Sequence, residues 1–90
     1  MWYFYVLQSI EKPDYFYKGS TNDLDRRVKQ HNGGTVFSSS PYKPYRLVYY
    51  EAYLHEFAAR IREGAVKKSG SVSVPLMYRI RQSLVLREKS

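Results

Sequence analysis

Tyr5, Tyr17, Arg27, His31 and Glu63 are the side chains of this sequence whose types could act together on a reacting group. A phenol donates and accepts hydrogen bonds and exchanges its proton near pH 10. A guanidinium is a fixed cation with five donors, suited to a phosphate. Imidazole titrates near neutrality. A single carboxylate can hold a hard divalent cation that keeps its waters. Alternatives are few: the chain has no cysteine and only two histidines, His31 and His55, without metal-ligand spacing. It also lacks a glycine-rich phosphate loop before a helix and any motif for a serine-hydrolase triad.

These residues need elements to position them. Residues 2–8 are rich in aromatics and read as a strand covered on both faces. Pro13-Asp14 marks a turn, and residues 15–19 form a second strand, giving an antiparallel hairpin. Alternation puts Tyr3 with Tyr5 on one face of the first strand, and Tyr15 with Tyr17 on one face of the second. Thr21-Asn22-Asp23 supplies capping side chains for a helix over 24–31, which Asn32-Gly33-Gly34 ends. A Ser/Pro-rich loop spans 35–44, and 46–53 is the clearest strand. The longest helix is expected over 55–68, with Phe57, Ala58, Ile61 and Ala65 on one side and Ser69-Gly70-Ser71 closing it. A shorter helix follows over 75–86. The order β-β-α-β-α-α implies an α+β domain: a three-stranded, mainly antiparallel sheet flanked by helices, one domain over 1–90.

On the first helix, Leu24, Arg27, Val28 and His31 fall on one stripe. Arg27 and His31 therefore sit beside apolar residues, near the seam of helix and sheet. A cation there must be paired or face water. The competing readings are a snorkelling Arg27 and a His31 that caps the helix end. Glu63 has Ala59 four residues before it and Val66 three after, small neighbours that leave room for a metal ion. An ordinary ion pair with Lys67 or Arg60 competes, and spacing alone favours it.

Ninety residues bury roughly 60–65% of the unfolded chain's surface. The core must be thin, and most of the ten tyrosines are accounted for as packing with a wet hydroxyl. The net charge of +7, from 15 Lys+Arg against 8 Asp+Glu, implies a polyanionic partner, nucleic acid before a membrane surface. The apolar start, Met1 to Leu7, is too short for a membrane span and has no basic n-region, and the lack of cysteine fits a cytoplasmic setting.

Taken together, the segments resemble the GIY-YIG nuclease family, above all its small single-domain members similar to the N-terminal domain of UvrC. Tyr3-Phe4-Tyr5 stands for the first motif and Tyr17-Lys18-Gly19 for the second. Residues 20–32, from Ser20-Thr21-Asn22-Asp23-Leu24 through Arg26-Arg27 to His31-Asn32, look like the segment that follows. Pro44 to Glu51 resembles the middle strand, Arg62-Glu63 with Val66-Lys67 the metal-site helix, and Tyr78 to Leu84 a C-terminal segment of small members. Gln82 stands where many members carry asparagine.

The resemblance implies a metal-dependent endonuclease that hydrolyses DNA phosphodiesters by a one-metal mechanism, structure-selective and linked to repair or recombination. It makes Glu63 the ligand of Mg²⁺, with Mn²⁺ as the alternative. Tyr5 and Tyr17 would orient or deprotonate the attacking water, Arg27 would neutralise developing charge, and His31 would hydrogen-bond a tyrosine or the phosphate. Gly19 and Gln82 would support the site. The two phenols, the guanidinium and the carboxylate are expected to meet around one solvent-filled hollow. Lys18, Arg26, Lys29, Lys43, Arg46, Lys67 and Lys68 are candidates for phosphate contacts. With no room for a separate reading domain, target choice falls to substrate structure or a protein partner; RNA stays open beside DNA, and so does the oligomeric state. The rival reading is a nucleic-acid-binding module whose chemistry has decayed, which Gln82 favours and the complete Tyr5, Tyr17, Arg27, His31 and Glu63 set opposes. A basic scaffold for a protein partner is a third.

Overall fold

A computed structural model describes residues 1–89; Ser90, the end of the single domain expected over 1–90, lies outside them. Strand β1 (Trp2–Ser9) is the centre of the molecule. It pairs antiparallel with β2 (Phe16–Thr21) on one side and with β3 (Tyr45–Tyr53) on the other. Residues 4–9 of β1 are all buried, because both faces of the sheet are covered. Phe4 and Val6 point into one core with Val66, Leu76, Met77 and Ile80 from the helices. Tyr5 and Leu7 point into the other with Tyr45, flanked by Tyr17, Leu24 and Val28. Each of these buried side chains contributes about 1.5–3 kcal/mol by leaving water, so β1 alone anchors two thin layers.

Helix α1 (Leu24–Asn32) lies on the Tyr5 face. Asp23 starts it, its carboxylate accepting from the Arg26 amide. Helices α2 (Glu56–Lys68) and α3 (Gly70–Lys89) cover the Phe4 face. The architecture is the expected α+β arrangement of three antiparallel strands with three helices. Among the described residues, no helix is long and apolar enough to cross a membrane.

Three expectations about the helices need correction. The longest helix is α3, with 20 residues against 13 in α2. Gly70-Ser71 does not open a loop: Ser69 alone turns the corner, its carbonyl accepting from the amides of Val72 and Ser73. Burial of Leu76, Met77 and Ile80 outweighs the breaker signals of Gly70 and Pro75. The face of α2 is also different. Phe57 and Ile61 are 66% and 57% exposed, whereas Ala59 and Val66 are buried. The helix is rolled by its polar edge. Arg62 reaches Glu51 on β3 with Nε at 3.0 Å and Nη2 at 3.1 Å, and Glu51 also accepts from the Tyr49 and Tyr53 hydroxyls.

That half-buried node fixes α2 on the sheet, so Arg62→Ala should cost about 1.5–3 kcal/mol by stranding Glu51. Arg60 pairs with Glu56 in water, and Arg60→Ala should cost less than about 0.5 kcal/mol. Urea denaturation of the two variants, compared with the unmodified chain, measures the contrast.

Candidate active site

Tyr5 and Gly19 are direct partners across β1 and β2. The Tyr5 ring leans over Gly19 so closely that a Cβ at position 19 would lie 2.6 Å from the phenol oxygen. Only glycine leaves the ring this path. Beyond Gly19 the hydroxyl meets α1. His31 Nε2 is 2.8 Å from it, and Arg27 Nε donates to it at 3.3 Å. The stripe Arg27–His31 thus faces the sheet at this point, and Arg27 adds a second bond from Nη1 to Gln30 at 3.0 Å. Arg27 does not snorkel free; its guanidinium is aimed.

His31 is fully buried. Its ring meets Tyr17 edge-on at 4.6 Å, with Tyr5 and Tyr45 each at 5.9 Å. Its Nδ1 lies 2.6 Å from the Ser39 hydroxyl. Ser39, equally buried, donates to the Val36 carbonyl at 3.2 Å, and its own carbonyl accepts from Tyr45 at 2.8 Å. Asn32 clamps the main chain of Tyr45 at both N and O, tying the end of α1 to the start of β3. The loop between them is thereby held at its ends and its middle.

Glu63 approaches from the other side of the sheet. Ser20, next to Gly19 but pointing the opposite way, donates to Glu63 Oε1 at 2.7 Å. Lys67 Nζ takes Oε2 at 2.6 Å. The ion pair expected from spacing is therefore present, with Lys67 as partner, while Arg60 belongs to Glu56. The cluster straddles β2, an edge strand, and Glu63 is near enough for its charge to act on Tyr5.

Burial pushes the Tyr5 phenol up to about 12; Arg27 works against this, and Tyr17 and Glu63 add to it. Burial also lowers His31 to about 4, helped by the Arg27 cation. A phenol at about 12 needs about 7 kcal/mol to ionise at pH 7. Tyr5 is 1% exposed. The expected common hollow is thus corrected: the two phenols do not share open water. Tyr17 is half-buried, with its hydroxyl 3.5 Å from the exposed Ser38.

The resident side chains suit one hard cation. Among the described residues there is no group of three or more His, Cys, Asp or Glu. One carboxylate with waters completing the shell is a pattern Mg²⁺ accepts, provided the ion displaces the Lys67 ammonium from Glu63 Oε2.

Residues 1–71 match the GIY-YIG catalytic domain. The chain belongs to the GIY-YIG family. It is also similar to UPF0213 proteins of Streptococcus pyogenes serotypes M3, M1 and M4, each 36% identical over 77 residues, covering 84% of this chain and 82% of the relative. GIY-YIG domains are nuclease domains, and a nuclease domain binds nucleic acid.

The GIY-YIG elements bring Tyr5, Tyr17, Gly19, Arg27 and His31 together, with Glu63 across the edge strand. Gln82 is elsewhere: it is exposed on α3 and lines a shallow hollow with Val74, Pro75, Tyr78 and Arg79. The candidate cations are scattered. Lys18, beside Gly19 on β2, lines a groove of roughly 520 Å³ with Phe16, Tyr78 and Arg81. Arg26 bonds Asn22 and shares a hollow with Lys29. Lys43 lies against Gly34, Arg46 donates to Gln8, and Lys68 is exposed. Sequence reasoning missed Ser20 and Ser39. Ser20 stands two residues from Lys18 on the same face, but nothing local marks Ser39 among Ser38, Ser39 and Ser40.

The buried imidazole gives a pH signature. The folded ring titrates near 4, the unfolded ring near 6.5, so the unfolded chain binds the extra proton between these values. Stability should be complete above pH 6.5 and fall by about 3 kcal/mol as pH drops to 4. Thermal unfolding of His31→Gln should lack this slope.

Proposed function

We propose that the protein is a metal-dependent endonuclease acting on DNA phosphodiesters, and that its two tyrosines divide the work. The observation that carries this is the contrast between a sealed Tyr5, hydrogen-bonded to Arg27 and His31, and a Tyr17 that reaches the surface beside Ser38. Tyr5 is a post: its oxygen holds Arg27 so that the guanidinium meets a phosphate oxygen. Tyr17, whose hydroxyl reaches the surface beside Ser38, would contact the attacking water. His31 stays neutral and anchors Tyr5.

Glu63 is the residue that would hold Mg²⁺, with Ser20 fixing the carboxylate. A bound ion supplies Lewis acidity at the scissile phosphate. Lys67 must give up Oε2 for that, and being partly exposed it can swing to a substrate phosphate instead. Lys18 and Arg26 flank the cluster on either side of the edge strand and contribute phosphate contacts without reading sequence. Such contacts leave target choice to substrate structure or a protein partner, and a structure-selective nuclease of this kind would serve repair or recombination. A decayed binding module is disfavoured because every member of the Tyr5, Tyr17, Arg27, His31 and Glu63 set is in contact with another member or held by a dedicated partner.

Nicking of supercoiled and branched DNA with Mg²⁺ or Mn²⁺ tests the reading. Glu63→Gln should abolish cleavage and keep DNA affinity within about threefold, since the isosteric amide leaves every phosphate-contact cation in place and only frees Lys67 from its ion pair. Binding without cleavage by the unmodified chain would make it a binding module.

The tyrosines separate by stability. Tyr17→Phe should lose cleavage with stability unchanged within about 0.5 kcal/mol. Tyr5→Phe should lose cleavage and also about 1–3 kcal/mol, because buried His31 and Arg27 lose a partner. Chemical denaturation beside the nicking assay reads both.

Lys67→Met should raise Mg²⁺ affinity of the DNA-free protein about two- to fivefold, the worth of a partly exposed ion pair. Calorimetric titration with Mg²⁺ measures this without any cleavage.

A further inference from the structure

The hydrogen bonds around His31 form a chain whose two ends have fixed polarity. At one end stands Arg27, whose guanidinium only donates. At the other stands the Val36 carbonyl, which only accepts. Starting from Val36, the Ser39 hydroxyl donates to the carbonyl, so its oxygen is left to accept from His31 Nδ1–H. Starting from Arg27, the Tyr5 oxygen accepts the Nε hydrogen, so the phenol hydrogen is left to go to His31 Nε2. The Arg27 end asks for hydrogen on Nδ1 and a lone pair on Nε2, and the Ser39–Val36 bond gives the other end the matching polarity. The ring is neutral, fully buried and bonded at both nitrogens, so no water supplies an alternative.

We infer that Ser39 is a positioning residue of the nuclease site: it fixes His31 in the Nδ1–H form, and His31 in turn makes Tyr5 an acceptor for Arg27. Without the Ser39 hydroxyl the buried Nδ1–H loses its acceptor, and stranding that donor outweighs the long 3.3 Å bond by which Arg27 holds the other end, so the ring form reverses. Nε2–H would then donate to Tyr5, and the phenol hydrogen would turn toward the guanidinium. Two donors would face each other, and Arg27 would lose its aim. Ser39 touches none of the groups that meet DNA, so its effect passes entirely through this chain. The backbone of Ser39 is held independently by Tyr45, which lets the side chain be removed with the loop in place.

This inference rests on the nuclease reading only for its kinetic arm. The structural arm is the nitrogen chemical shifts of the imidazole rings at pH 7.5. The chain contains an internal reference: His55 Nδ1 accepts from the Phe57 amide, so its neutral ring carries hydrogen on Nε2. The unmodified chain should therefore show one ring of each form, and His55→Asn, which keeps a capping acceptor, assigns the Nδ1–H ring to His31. In Ser39→Ala the His31 ring should switch to Nε2–H. Cleavage by that variant should fall on the order of ten- to a hundredfold in kcat with KM nearly unchanged. Finding His31 as Nε2–H in the unmodified chain overturns the inference, whatever the activity. So does a Ser39→Ala variant that keeps the Nδ1–H ring, or one that switches the ring and keeps full kcat. Should Ser39→Ala fail to fold, the ring form in the unmodified chain still decides. If no DNA substrate is cleaved at all, the nuclease reading fails and the ring measurement stands apart from it.

Discussion

The passage of the Tyr5 ring over Gly19 is the constraint on which the site depends. A strand buried on both faces ordinarily keeps its side chains within its own layer. Here the missing Cβ on the neighbouring strand lets one aromatic ring reach across to the sheet's edge, where α1 delivers Arg27 and His31. The same two residues of β2 serve both sides: Gly19 makes room for the phenol, and Ser20 holds Glu63. An edge strand is the place in a three-stranded sheet where groups from both faces can approach one another.

Electrostatics and packing reinforce this arrangement. The Arg27 cation stabilises nothing apolar around it, yet it is tolerated because Tyr5 and Gln30 accept its hydrogens. It also helps keep His31 uncharged, which the shell of Tyr5, Tyr17 and Tyr45 rings requires. The aromatic abundance that looked like core filler is thus partly an apolar casing for one imidazole. Glu51, by contrast, gathers two phenols and Arg62 on the opposite face and serves the docking of α2, which sets where Glu63 emerges.

Much of the fold was legible because its signals are local. Asp23 caps α1 as its position suggests, and the hairpin follows from two aromatic runs about a turn. The roll of α2 was not legible, because Phe57 and Ile61 form the more apolar side by composition. Arg62 and Glu63 override them through partners on β3 and β2, far away in sequence. The start of α3 was hidden by Gly70 and Pro75, local breakers that long-range burial outweighs. Of the site, the stripe of Arg27 and His31 could be read from helical spacing. The division between a sealed and an open tyrosine could not, since both rings lie on the same face and differ only in how they pack about His31, Gly19 and Ser38. Ser39 could not either, as one serine in a run of three acquires meaning only from the ring beside it.

The fastening of the segment between α1 and β3 has an evolutionary corollary. Asn32 and Tyr45 act as a buckle, so the span from Gly33 to Pro44 starts and finishes at a fixed gap. A hoop closed in this way can grow without disturbing the sheet, since loop-closure entropy rises only slowly with length. Ser39 divides the hoop in two, however. Extra residues are best accommodated before it, because the stretch after it is fastened to the end of β1 through Ser9–Tyr42 and Ile10–Pro44, while the serine stays opposite the imidazole.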